Sequence, residues 1–185
     1  MDSRSLAFNI LYQFEKKDKK ISDIRKHFFS NYSKKNELKF RSTVLVNEII
    51  RFRGRLDLMI MFISGKKLRF LSRKVLTILR IGFYEIMFDH KVPDYAAVDS
   101  SVSLANKFTN KKTKGFTNAV LRNLVRKKNK DHNWYEGLKN KVGWSSVPAW
   151  MEKRWLVNFG QKNLFKLIEF INQPSDTFIR CDTDS

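Results

Sequence analysis

The sequence predicts an all-α protein, and apolar periodicity carries that expectation. Leu6, Ala7, Ile10, Leu11 and Phe14 form one stripe at helical spacing; Val44, Leu45, Ile49 and Phe52 form another; Val75, Ile78, Leu79, Gly82, Phe83 and Ile86 form a third. Each stripe is a buried face before it is anything else. Helix starts are marked by Asp2 or Ser3, by Ser22, by Ser72 and by the Pro93-Asp94 pair, where proline suits a first turn and a short polar side chain satisfies free N–H groups. Gly54, Gly65 and the polar stretch from Lys127 to Asn133 read as interruptions.

The segment Gly115 to Arg122 opens a further helix, with Phe116, Ala119, Val120 and Leu124 inward and cations outward. About seven helices through Lys128 are expected, packed as two small bundles around the hydrophobic third helix. After Asn133 the composition shifts towards Trp134, Trp144, Trp150 and Trp155, which places a boundary there: a helical domain over 1–130 and a Trp-rich helical linker over 134–185. The four Trp either anchor this tail on the bundle or stack on bases, and their large apolar area favours anchoring. Thr177 to Cys181 read as a strand by β-branched and aromatic content, the start of a small α/β lobe.

At 185 residues the chain is long enough to bury roughly 70% of its unfolded surface. Its charge is the main physical clue: 37 Lys and Arg against 18 Asp and Glu leave +19. The cations cluster at Lys16-Lys17, Lys19-Lys20, Arg25-Lys26, Arg51 with Arg53, Lys66-Lys67, Arg69, Arg73-Lys74, Lys111 to Lys114 and Arg126 to Lys130. Such patches attract phosphate chains through long-range steering and counterion release, so RNA is the expected partner. A merely solvated basic surface is the alternative. No apolar run approaches the ~20 residues of a membrane span, and the first residues lack the apolar core of a signal peptide. No membrane association and a cytoplasmic location are expected.

Catalytic chemistry is not expected of these residues. His27, His90 and His132 lie far apart with no cysteine partner, so a zinc site is not expected, and the single glycines form no close-spaced set for a nucleotide. Cys181 stands alone, where a buried inert thiol is the default. No cofactor is expected within the chain. Two residues of the 115–122 segment admit two readings each. Arg122 either pairs with a phosphate or stacks on a base, or else pairs with a carboxylate such as Glu48 or Glu85, and Asn118 either contacts a sugar or base edge or hydrogen-bonds backbone between helices.

These segments together resemble a known family. Arg4-Ser5-Leu6-Ala7 with Ile10 and Leu11, Arg41 with Leu45, Glu48 and Arg51, Leu79 to Ile86, Val92 to Val98, and Gly115 to Arg122 are similar in order and spacing to the NusB-like RNA-binding module at the front of the RsmB (Fmu or Sun) ribosomal RNA cytosine-C5 methyltransferases. Pro148-Ala149-Trp150, Lys153-Arg154-Trp155, Phe159-Gly160 and Asn172-Gln173-Pro174 resemble the segment that leads, in those enzymes, to the catalytic part. Asp182 stands where the family pattern has Asn.

The resemblance implies a noncatalytic RNA-binding module that positions small-subunit ribosomal RNA for a catalytic domain elsewhere, with S-adenosylmethionine as that domain's cofactor. The alternative is a stand-alone NusB-type antitermination protein acting with a small ribosomal-protein-like partner. NusB-like modules use their N-terminal end for RNA, which adds Arg4, with Arg25 and Lys26 nearby, to the basic positions Arg122, Arg126 and Lys127 as expected RNA contacts.

Overall fold

The computed structural model describes residues 2–16, 19–30 and 36–173. Within them the chain is helical: α1 (Ser3–Phe14), α2 (Ile21–Ser30), α3 (Asn36–Arg51), α4 (Arg53–Ser64), α5 (Arg73–Met87), α6 (Asp94–Phe108), α7 (Lys111–Lys130) and α8 (Ala149–Ile171), with short 3-10 turns at Leu68–Phe70 and Glu136–Leu138. The expected strand at Thr177 to Cys181 and Asp182 lie outside the described residues. Two compact units divide the chain, Met1–Ser146 and Val147–Ser185. The boundary expected near Asn133 therefore falls inside the first.

Side-chain oxygens fix the principal starts. Asp2 Oδ1 accepts from the Ser5 N–H, Ser72 from Val75 and Asn110 from Thr113, each satisfying a donor the helix itself leaves free. Pro93 precedes α6 as expected, whereas Ser22 lies one residue inside α2. The interruption expected at Gly54 comes two residues earlier, at Phe52, and α7 runs on to Lys130 through the polar stretch read as a break. Continuous i to i−4 bonding tolerates polar residues when one face is packed.

The helix at the centre is the fifth in chain order, not the third. Every residue from Val75 to Ile86 is buried, because α5 packs against α1, α3, α4, α6 and α7. Gly82 permits the closest approach: a Cβ there would lie 2.7 Å from Ser101 Oγ and 2.9 Å from a Leu121 methyl. On α7 the inward face is Thr117, Val120, Leu121 and Leu124; Ala119, expected inward, is exposed, and Phe116 is half-buried. Val44 likewise is exposed, because the α3 face that packs is Ser42, Leu45, Val46 and Ile49.

Two buried charges, Glu85 and Arg80, are matched inside this bundle. Arg4 Nε donates to both carboxylate oxygens of Glu85, at 2.8 and 2.9 Å, and Arg80 pairs with Asp57 (2.7 and 2.8 Å) and with Glu15. Burial pushes the Glu85 carboxyl above its ordinary range while Arg4 pulls it back. For Arg80 burial works to lower the guanidinium value, and Asp57 and Glu15 together outweigh it. The carboxylates proposed for Arg122 are thus taken by others: Glu85 by Arg4, and Glu48 by Arg51 at 2.7 Å. Arg122 does not reach across the bundle.

After α7 the chain folds back onto α4. Trp134 is buried and stacks on Phe62 at 5.4 Å, and Trp144 lies against Tyr135 at 6.0 Å with the Arg55 guanidinium over its ring. Gly54 allows this return, since a Cβ on it would sit 1.8 Å from the Gly143 carbonyl oxygen; its N–H donates to Ser146 Oγ at 3.0 Å. Two of the four Trp are therefore anchors. In the second unit α8 leaves helical geometry at Gly160 (φ 70°, ψ 166°), and Trp150 is exposed.

Candidate nucleic-acid interface

The α6–α7 pair presents a groove to solvent. Helices α6 and α7 are antiparallel neighbours joined by Thr109 and Asn110, and each turns one side into the core: Ala97, Ser101, Leu104 and Ala105 from α6, Thr117, Val120, Leu121 and Leu124 from α7. Their outer sides enclose a volume of about 770 Å³, floored by Val98, Val102 and Val125. Tyr95, 78% exposed, stands on the α6 side; Lys111, Lys114, Asn118, Arg122 and Arg126 line the α7 side. Spacings of three, four, four and four residues set these five side chains along one face of α7.

Charge in the groove is unequal. Of its two carboxylates, Asp94 is paired with Lys128 at 2.8 Å, and Lys128 also donates to the Ile86 carbonyl at 2.7 Å. That leaves Asp99 facing Lys111, Lys114, Arg122 and Arg126, none of which forms an ion pair with another described residue. Arg122 Nε donates to Asn118 Oδ1 at 3.0 Å, one helical turn back, which holds the guanidinium along the groove wall rather than free in solvent. A planar fork of N–H donors fixed beside an exposed phenol ring suits a phosphate followed by a stacked base.

The groove opens at its α7 start onto a second basic corner. Phe108 stacks on Phe8 at 4.2 Å and Lys107 Nζ lies 3.5 Å from Ser5 Oγ, so the α6–α7 connection sits against the first turns of α1. Lys107, Lys111 and Lys112 are exposed there. The N-terminal turn of α7, capped by Asn110, adds its positive dipole end to these ammonium charges, which together favour an anion.

The residues expected from the sequence divide accordingly. Arg122 and Arg126 come together in the groove. Lys127 follows Arg126 but is half-buried and does not line it. Arg25 and Lys26 lie on α2, which packs on α1; Arg25 Nη1 donates to Asn47 Oδ1 at 3.3 Å and Lys26 is exposed. Arg4 is engaged with Glu85, its side chain 21% exposed. Tyr95, Lys107 and Lys114 were missing from the expected contacts. The Lys111 to Lys114 run signalled the last, whereas Tyr95 carries no sequence signal beyond standing four and seven residues from the groove positions Asp99 and Val102.

Among the described residues no group of three His, Cys, Asp or Glu side chains could hold a metal ion, and no helix is long and apolar enough to cross a membrane.

Comparison with known proteins places this geometry. Residues 1–126 match the NusB family. The transcription antitermination protein NusB of Clostridium novyi (strain NT) is 33% identical over 127 residues, covering 67% of this chain and 96% of that protein. The protein of the same name from Clostridium acetobutylicum is 27% identical over 131 residues, 66% of this chain and 92% of its own length. The one from Clostridium tetani is 37% identical over 65 residues, 35% of this chain and 42% of that protein.

Proposed function

The chain belongs to the NusB family, and on that premise we propose that it is an RNA-binding protein of the transcription antitermination type that holds single-stranded RNA along the α6–α7 groove. The observation that carries the reading is the groove itself: four cations that form no ion pair with a carboxylate among the described residues, set along one helix face opposite an exposed tyrosine. Phosphates run past Lys111, Lys114, Arg122 and Arg126, a base stacks on Tyr95, and the strand reaches Lys112 at the start of α7, with Lys107 adding to the field there. Arg4 serves here by fixing α1 through Glu85. Arg25, Lys26 and Lys127 contribute to the attracting field rather than to the groove. The reaction chemistry of a catalyst has no part in this function, and no cofactor is required. A small ribosomal-protein-like partner belongs to the same reading.

Fluorescence anisotropy with a short single-stranded RNA tests it. About five phosphate contacts give a slope of log affinity against log salt near −3 to −4 for a single strand. A slope shallower than −1, or equal affinity for a duplex of the same length, overturns the reading.

A second reading is favoured by one observation. Beyond the residues that match the family, the chain carries Trp134 to Ser146 folded on α4 and then α8, a helix whose segments resemble the part leading to the catalytic domain of ribosomal RNA cytosine-C5 methyltransferases. On this reading the module presents small-subunit ribosomal RNA to an S-adenosylmethionine-dependent domain. Tighter binding to a ribosomal RNA hairpin than to a single strand selects it over the first.

A further inference from the structure

The connection between α4 and α5 carries a second concentration of charge that the groove does not use. From Lys66 to Lys74 the chain holds five cations, Lys66, Lys67, Arg69, Arg73 and Lys74, and all five are exposed. None forms an ion pair with a described residue. No acidic residue occurs between Asp57 and Glu85, so the field of this segment has no local neutralising partner in sequence.

Aromatic faces are interleaved with these charges. Phe70 is 67% exposed, with the Arg69 guanidinium 4.9 Å from its ring centre. Phe70 closes the 3-10 turn Leu68–Phe70, and its open ring face is available for stacking. Lys66 Nζ sits 5.9 Å from the ring of Phe116, which belongs to α7. Asn123 Nδ2 donates to the Ile63 carbonyl at 3.3 Å, a second tie between the end of α4 and α7. The connection is thus set against the same helix that lines the groove, and Lys112 stands one turn before Phe116 on α7.

We infer that the Lys66 to Lys74 connection is a second contact surface for the same single-stranded RNA, extending its track from the α7 start across Phe116 to Phe70. This rests on the RNA-binding function proposed above and adds to it a length requirement. Cations with no carboxylate partners among the described residues, beside the ring faces of Phe70 and Phe116, match a strand of phosphates and bases; an apolar partner surface would leave five charges unsatisfied, and an acidic protein segment would leave the rings unstacked. The Ser72-capped start of α5 holds Arg73 and Lys74 on the first turn, so the segment is presented by ordered structure at both ends.

The test compares oligouridylates of about 6 and about 16 nucleotides, the limits of a typical single-strand site. Three variants are used: Lys66→Ala/Lys67→Ala/Arg69→Ala, Phe70→Ala, and the groove variant Arg122→Ala/Arg126→Ala, each checked by circular dichroism. The triple variant is expected to flatten the salt slope for the long RNA by about 2 and to leave the short RNA unaffected. Phe70→Ala is expected to weaken the long RNA about 10-fold, with Phe70→Tyr restoring it. Wild-type binding of the long RNA by the triple and Phe70 variants, with loss in the groove variant, overturns the inference and leaves the function standing. Failure of the unaltered protein to bind either RNA removes the function and this extension together. Equal binding of a polyglutamate peptide, lost in the same variants, assigns the segment to an acidic protein and overturns the inference.

Discussion

Arg4 Nε stands 2.8 and 2.9 Å from the two carboxylate oxygens of Glu85, a bifurcated ion pair joining the first turn of α1 to the last turn of α5. Glu85 is fully buried and Arg4 mostly so. The pair therefore fixes the end of α1 that faces the basic corner, and in the proposed function its part is to position that end.

Arg4→Ala leaves an uncompensated buried carboxylate and is expected to cost about 3 kcal/mol of stability at neutral pH, measured by denaturant unfolding. The sign with pH follows from Glu85, whose folded value lies above the ordinary 4.5 and rises further without Arg4. Its contribution is full below the unfolded value and is lost as pH rises through the folded one. The deficit of Arg4→Ala should shrink below pH 4.5. A variant that keeps its stability but loses RNA affinity would make Arg4 a direct contact instead.

Arg122→Ala/Arg126→Ala removes two groove cations and should reduce the salt slope by about 1.4 and weaken a short single strand by about 10-fold in anisotropy titrations. Asn118→Ala, which releases the Arg122 guanidinium from its 3.0 Å tether, should give a smaller loss with an unchanged slope. An unchanged slope in the double variant would remove these residues from the interface.

Tyr95→Ala separates stacking from charge. A lost platform costs roughly 1–3 kcal/mol of binding per stacked base, and Tyr95→Phe should retain it because the ring rather than the hydroxyl is used. Thermal stability should be unchanged in both, since Tyr95 is exposed.

Gly54→Ala forces a methyl to within 1.8 Å of the Gly143 carbonyl oxygen, so the returning chain must lift from α4. A loss of about 2–3 kcal/mol is expected, with a change in Trp fluorescence as Trp144 leaves Tyr135 and Arg55. Gly137→Ala is the control, because nothing lies within 4 Å of its added carbon. Equal melting temperatures for the two variants would contradict the contact.

Tyr84 supplies an alkaline signature. Burial, helped by Glu48 and Asp89, pushes its phenol from 10.0 to about 12. Stability from this group is complete below pH 10 and declines as pH rises towards 12, and Tyr84→Phe should flatten the fall in melting temperature over that range.

Helix existence was legible because the apolar residues of α1, α5 and α7 recur at helical spacing over several turns, even where, as in α5, the rest of the helix is buried as well. The caps at Asp2 and Ser72 were legible for the same local reason: each side chain bonds an N–H three residues on. Ala119, expected inward, is exposed and Thr117 is buried, because a small side chain and a hydroxyl give no clear hydrophobic preference. The face that turns inward is the one carrying Leu121, which meets α5 at Gly82.

The sequence by itself determined the helical class, the NusB-family likeness and the excess of positive charge, since periodicity, composition and local spacing are properties of short segments. Only the tertiary structure decided which arginine is held in the core, that Tyr95 faces the α7 cations, that Trp134 and Trp144 return to α4, and that Lys66 reaches Phe116. These depend on which distant residues meet. A charged side chain takes its role from the nearest opposite charge or ring after packing, and Arg4 found Glu85 at a separation of 81 residues, a distance over which local pattern carries no information.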